Sequence, residues 1–263
     1  MTAIHPLIRP LDADALTAAY RAADPFPHLV LDNFLVTDFA SEVAATYPTY
    51  DEARRDGKVF FGVNERLKAQ VSDSTLFPEP VAQLAEALSA PAWREFLSQV
   101  TGIPELTGDP SWQGGGMHVM ATGAHLDVHV DYNLTEEGLH RRLNVLLFLN
   151  PGWQPEWGGR LELWDAAVGE RRAAIEPVLN RCAIFATSAT SYHGVERVTC
   201  PPDRRRASFA GYYHTSQAPD GWNGEKHGTL FKARPSERLK GSVLMPLQGA
   251  AIGVISKFGK RAK

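Results

Sequence analysis

Between residues 123 and 133 the chain reads GAHLDVHVDYN, with His125, Asp127, His129 and Asp131 at every second position and Leu126, Val128 and Val130 between them. On an extended strand side chains alternate faces, so this spacing predicts a polar row and an apolar face that packs into a core. A row of imidazoles and carboxylates is either solvated or lines a site. From about Gly114 onward, short β-rich runs alternate with turn residues: MHVMATG, HLDVHVD, RLNVLLFLN, GRLELWD, IEPVLNRCAIFAT and RASFAGYYHT. Such regular short strands predict a sandwich or barrel. The segment NPGWQPEWGG reads as a turn-rich loop ending in Gly158 and Gly159.

The first hundred residues have a different texture. DADALTAAYRAAD reads as a short helix capped by Asp12 or Asp14, and FPHLVLDNFL as an apolar strand. TDFASEVAATYP reads as a helix capped at Thr37, with Glu42 early in it. EPVAQLAEALS and PAWREFLSQVTG are two further helices, Pro91 suiting the first turn of the second. YDEARRDGKVFFGVNERLKAQVSD is charged and irregular, and is expected to be a loop or lid. After Thr215 the chain turns polar and irregular again, and its tail is apolar, then basic. With no internal repeat or low-complexity linker, the expectation is one domain over 1–263. It comprises a helical and β support over 1–112, a β core over 113–216 and an extension over 217–263. The part from Gly241 is expected to lie outside the catalytic core, its basic end suited at most to weak anchoring on an anionic surface.

Composition narrows the class. With 44% hydrophobic and 22% charged residues the chain is ordinary for a globular protein, and its net charge of −3 gives no global attraction to nucleic acid or anionic membrane. Two cysteines, Cys182 and Cys200, form no Cys-x-x-Cys pair, and such sparse usage suits a cytoplasmic setting. No basic stretch leads into an apolar run at the start, and no run of about 18 apolar residues occurs, so neither a signal peptide nor a membrane span is expected.

A mononuclear iron site often takes two imidazoles and one carboxylate on one side of the ion. A His-x-Asp triplet on a strand supplies two of them from one face. His193, in TSATSYHGVERV at the end of a strand-like run, is the candidate third ligand. The gap from Asp131 is 193 − 131 = 62 residues, room for several intervening strands. Periodicity alone does not choose between the His125/Asp127 and His129/Asp131 triplets. The remaining histidines, His5, His28, His118, His140, His214 and His227, are expected to be surface or packed residues.

GAHLDVHVDYN, RRLNVLLFLNPGWQPEWGGRLELWD, SYHGVERV and RRRASFAGYYHT, in that order, resemble the iron(II)- and 2-oxoglutarate-dependent dioxygenases. The branch they resemble is the prolyl 4-hydroxylase-like one, with its bacterial proline hydroxylase homologues. The resemblance is strongest over residues 113–216, and PFPHLVLDNFL (25–35) is similar to that branch's N-terminal strand. It implies a mainly β fold, a double-stranded β-helix (jelly roll) with an N-terminal helical layer. It also implies His129, Asp131 and His193 as iron(II) ligands, because the family's triplet precedes an aromatic residue and Asn, as in LDVHVDYN. His125 and Asp127 then become supporting, channel-lining or solvated groups.

The resemblance further implies 2-oxoglutarate as cosubstrate, ascorbate as an accessory reductant, and an arginine after the distal histidine for the far carboxylate. RRRASFAGYYHT offers Arg204, Arg205 and Arg206. Arg206 shares a strand face with the small Ser208 and Ala210, which leave room for the keto acid, and stands six residues before Tyr212 as in the family. Arg205 shares its face with Phe209, which suits packing. Where the family often has a tyrosine on the LLFLN strand, this chain has Phe148. Asn144 and Leu146 share its parity and are expected to line the same pocket. The implied reaction hydroxylates a prolyl residue or proline-like substrate, with release of succinate and CO2, on a peptidyl or small-molecule partner rather than nucleic acid. The alternatives are a cupin-like metal-binding protein without oxygenase activity, and an oxygenase acting on a small-molecule or saccharide intermediate.

Overall fold

The structure, a computed structural model, describes residues 4–237. Expectations about the tail from Gly241 therefore lie outside the described residues. Four of the five helices fall where the sequence puts them or close to it. Helix α1 (Ala13–Ala22) is capped by Asp12, whose carboxylate accepts the Ala15 N–H. Helix α2 (Thr37–Thr46) corrects the expected cap: Val36 holds the N-cap position and Thr37 is already helical, with no side-chain cap bond. Helices α4 (Glu79–Ser89) and α5 (Pro91–Thr101) each carry a proline in the first turn, and α5 ends at Gly102 in the left-handed region.

The segment expected to be a loop or lid is instead regular. It holds α3 (Tyr50–Asp56) and an antiparallel hairpin of β2 (Lys58–Phe61) and β3 (Glu65–Val71). Thr49 and Glu52 form a reciprocal capping box at the start of α3. β3 then pairs with the long strand β5 (Gly116–Val130) and so joins the main sheet. Its charged residues hid this because part of the hairpin is exposed and its apolar side chains do not alternate cleanly.

The remaining strands are β1 (His28–Leu31), β4 (Thr107–Gly108), β6 (His140–Phe148), β7 (Leu161–Trp164), β8 (Arg171–Ile175), β9 (Arg181–Ala186), β10 (His193–Val195), β11 (Arg206–Thr215) and β12 (Leu230–Phe231). The run IEPVLNRCAIFAT, expected as one strand, is split between the end of β8 and β9. All pairings are antiparallel, in the order β1-β9-β6-β11-β5-β10-β7-β8. The result is a nearly closed barrel of jelly-roll type. β5 ties its two halves together. Residues 116–120 pair with β11, whereas His129 and Leu126 pair with β10. The two expected strands MHVMATG and HLDVHVD are thus one, with Gly123 at φ +87° between them.

Parity on the central strands decides what lies outside and inside. Leu143, Val145 and Leu147 of β6 and Phe209 and Tyr213 of β11 pack into the core shared with the helices. Phe209 meets Trp112 at 4.9 Å and Phe77 at 5.8 Å, the packing role its bulk suggested. Buried hydrogen bonds pin the helical layer to the sheet: Trp93 Nε1 donates to Tyr213 Oη, which donates to the Leu88 carbonyl. Residues of the opposite parity, Asn144 and Leu146 on β6 and Arg206, Ser208 and Tyr212 on β11, turn into the barrel.

Candidate active site

His129 and His193 stand directly opposite one another in the β5–β10 ladder, with ring centroids 4.3 Å apart. Each Nδ1 lies 2.9 Å from a carbonyl two residues upstream, that of Asp127 for His129 and of Ser191 for His193. With Nδ1 donating there, each Nε2 presents a lone pair to the barrel interior. Asp131, just past the end of β5, places Oδ1 3.6 Å from His129 Nε2 and Oδ2 3.5 Å from His193 Nε2. Among the described residues these three form the one group of histidine, cysteine and carboxylate side chains arranged to hold a metal, with ligand atoms within 4.8 Å of one another.

Electrostatics keep His193 and Asp131 in metal-binding form. Burial pushes His193 down to about 4 against the opposing pull of Asp131, so its imidazole is neutral at neutral pH. For Asp131 burial acts upward, but Arg141, then His193 and His129, outweigh it and hold the carboxyl well below its usual range. Two imidazoles and one carboxylate, nearly enclosed, are the donor set that suits a divalent first-row ion with positions left for other ligands.

The upstream pair His125 and Asp127 does not join them. A β-bulge breaks the alternation, since the three steps from Leu126 to His129 match only two from Val195 to His193. Leu126 consequently faces the same cavity as His129 and Asp131, while Asp127 and Val128 are taken away from it. Asp127 is fully buried, 3.3 Å from Arg234, and His125 Nε2 meets the Val63 carbonyl at 3.1 Å. The expectation of one polar face bearing all four residues is thus corrected.

The triad and Arg206 line one cavity of about 270 Å³. Arg206 is 3% exposed, and its Nε donates to the Gly159 carbonyl at 2.6 Å. Gly159 lies at φ +70°, and a Cβ there would come within 3.0 Å of Arg206 Cδ, so only glycine lets the arginine lie so close to the loop. No carboxylate of the described residues pairs with Arg206, and burial lowers its guanidinium to about 10. A buried cation without a counter-ion is costly. Phe148 does not line the cavity. Its ring backs the guanidinium at 5.1 Å and packs with Phe185 and Leu163 behind it. Arg205, by contrast, donates to the Tyr47 carbonyl outside the barrel, and Arg204 is exposed beside Asp203.

Several site residues gave no signal in the sequence. Arg141, buried at 5%, bonds both Asp131 and Asn144 between the rings of Tyr132 and Tyr212. Asn144 lines the cavity as expected, but its amide is spent on Asp131 at 2.7 Å. His118, expected to be an ordinary histidine, lies on the cavity wall with Nε2 3.0 Å from the Gly114 carbonyl. Past residue 216 the chain still contributes to the cavity wall. β12 pairs with β5 at His129 and Val130, and Phe231 lies 5.4 Å from the His129 ring. Arg234 anchors this segment to Glu162 at 2.7 Å and to the backbone carbonyls of Leu126 and Val195.

The barrel of jelly-roll type thus carries two histidines and an aspartate on its inner face, a donor set suited to a divalent first-row ion. Residues 115–214 match the model of the 2OG-Fe(II) oxygenase superfamily. The chain is similar to prolyl 3,4-dihydroxylase OGFOD1 of Ostreococcus tauri, 25% identical over 211 residues covering 74% of this chain and 39% of that protein. It is also similar to prolyl 3-hydroxylase OGFOD1 of Mus musculus, 28% identical over 198 residues covering 73% of this chain and 33% of that protein. The chain thus spans well under half the length of these curated relatives. Its fold is similar to that of a Pseudomonas putida prolyl-4-hydroxylase, with TM-score 0.52, 20% identity, and coverage of 76% of this chain and 98% of that one. No helix among the described residues is long and apolar enough to cross a membrane.

Proposed function

We propose that the protein is an iron(II)- and 2-oxoglutarate-dependent dioxygenase that hydroxylates a prolyl residue, with release of succinate and CO2. The observation that carries this reading is the pairing, in one cavity, of the His129–Asp131–His193 group with Arg206, a buried cation that lacks an acid. A cupin-like metal-binding protein without oxygenase activity has use for the first and none for the second. The prolyl substrate is supported by the two curated relatives, both prolyl hydroxylases by name.

When bound, iron(II) with 2-oxoglutarate supplies oxidation of an unactivated C–H bond coupled to decarboxylation of the keto acid. His129 and His193 would hold the ion through Nε2 and Asp131 through one carboxylate oxygen. Arg206 would hold the far carboxylate with two parallel N–H bonds, since its terminal nitrogens meet only the Met120 sulfur, at 3.8 Å. Ser208 and Leu146 line the same cavity as Arg206 and the triad. Phe148, in place of a tyrosine, provides a ring face beneath the guanidinium rather than a hydroxyl beside the carboxylate. A broader groove bordered by Phe60, Lys58, Tyr132, Glu136 and His227, sharing Tyr132 with the cavity, would take an extended peptide.

The test is succinate release on addition of iron(II) and 2-oxoglutarate, together with a screen of proline-containing peptides for a mass gain of about 16 Da. Metal uptake without any 2-oxoglutarate turnover, coupled or uncoupled, would favour the cupin-like reading.

A further inference from the structure

Asp131 Oδ2 accepts a hydrogen bond from Asn144 Nδ2 at 2.7 Å and forms an ion pair with Arg141 Nη2 at 3.1 Å. Both partners draw on the lone pairs of this one oxygen. Oδ2 lies 3.5 Å from His193 Nε2, and Oδ1 lies 3.6 Å from His129 Nε2 with no hydrogen bond or arginine partner of its own. Arg141 is itself held on every side. Its Nε and Nη2 donate to Asn144 Oδ1 at 3.0 and 2.8 Å, and its guanidinium carbon lies 3.5 Å from the centre of the Tyr212 ring and 4.7 Å from that of Tyr132. Arg141, Asn144 and Asp131 close a ring of hydrogen bonds and one ion pair, and the two tyrosine rings flank the guanidinium.

We propose that Arg141 is a positioning residue that, by occupying Oδ2 together with Asn144, makes Asp131 a one-oxygen donor. The inference rests on the reading of Asp131 as a metal ligand. If a six-coordinate ion were held by two imidazoles and one carboxylate oxygen, three positions would remain for other ligands, and a carboxylate free to chelate would take one of them. A one-oxygen Asp131 would keep all three free for a bidentate 2-oxo acid and a further small ligand. The full positive charge of Arg141 lies close to the place of a dication and opposes its uptake. Arg141 therefore serves the geometry of the centre and not its affinity, which separates it from an ordinary outer partner whose loss weakens metal binding.

The experiment uses R141M, which keeps an apolar stem between the two rings, and R141K, which retains one donor. Each is loaded with iron(II) without oxygen, then given 2-oxoglutarate, then nitric oxide as a stand-in for dioxygen. R141M is expected to bind iron(II) at least as tightly as the unaltered protein. It is expected to develop the charge-transfer band of the chelated 2-oxo acid, yet to lose the high-spin nitrosyl resonance by about tenfold. R141K is expected to regain part of that resonance. A nitrosyl signal of full size in R141M overturns the proposal, as does loss of iron uptake in R141M whose metal-free thermal unfolding is unchanged. Where R141M does not fold, N144L takes its place, with the same expected direction. H129A that still takes up iron would overturn the metal-site reading itself, a result distinct from either.

Discussion

Arg206, which lines the cavity beside the triad, donates a 2.6 Å hydrogen bond from Nε to the Gly159 carbonyl. That bond uses one edge of the guanidinium and aims the rest at the space where a dicarboxylate would end. Arg206→Ala should raise the KM for 2-oxoglutarate by a factor equivalent to about 2–4 kcal/mol, the loss expected for a charge-assisted pair. Arg205→Ala should change it little, since Arg205 contacts the Tyr47 carbonyl on the helical side. Steady-state titration of the keto acid on both variants checks the ranking, and the reverse order would refute the assignment.

The two His-x-Asp triplets make opposite predictions. His129→Ala should abolish stoichiometric binding of cobalt(II), used as a spectroscopic substitute for iron. His125→Ala should leave that binding within a fewfold, because the bulge turns its ring toward the Val63 carbonyl. Titration followed by visible absorption reads both, and equal losses in the two variants would count against the bulge as the divider.

Arg234 ties the segment before it to Glu162, with Asp127 alongside. Arg234→Ala should destabilise the protein by about 3 kcal/mol, the scale for breaking a buried ion pair. It should also increase hydrogen exchange at Phe231 and Lys232, whose N–H donates to the Val128 carbonyl. Urea unfolding and exchange mass spectrometry measure the two effects, and an unchanged exchange pattern would show that the strand holds without its anchor.

Buried imidazoles give the metal-free protein a pH signature. Burial lowers His214 to about 4 and His118 well below its ordinary value. Both are neutral in the folded state and gain protons first in the unfolded one. Stability from this source is complete above about pH 6.5 and falls as pH drops from there toward 4, by up to about 1.4 kcal/mol per unit for each histidine. Unfolding free energies in urea at pH 7 and pH 5 should differ accordingly, and His214→Phe should shrink the difference.

Sequence pattern reached the site unevenly, for physical reasons. The parity of β11 was legible because each side chain has a size that suits its face: Ser208 and Ala210 inward, Phe209 outward against Trp112. The bulge in β5 was not, because what sets it is the register of β10, some 60 residues away. The resemblance chose the triplet that the structure gathers beside His193, where alternation put all four residues together. Arg141 was hidden in the pair Arg141–Arg142, whose members differ only in the face they take. The hairpin of β2 and β3 was misread because charge on a half-exposed strand resembles charge on a loop. The stretch after Thr215 was set aside as an extension because two residues of strand and one arginine leave almost no periodic trace.

β12 and Arg234 also bear on the order in which the molecule is made. His129 is synthesised about a hundred residues before Arg234, and every strand of the barrel's main path precedes β12 in the chain. A nascent chain that has closed the β5–β10 ladder has brought both imidazoles together while one wall of their chamber is still missing. An ion that arrives then meets water where Phe231 later stands. The last wall of the chamber therefore becomes available only after every strand of the main path has been synthesised.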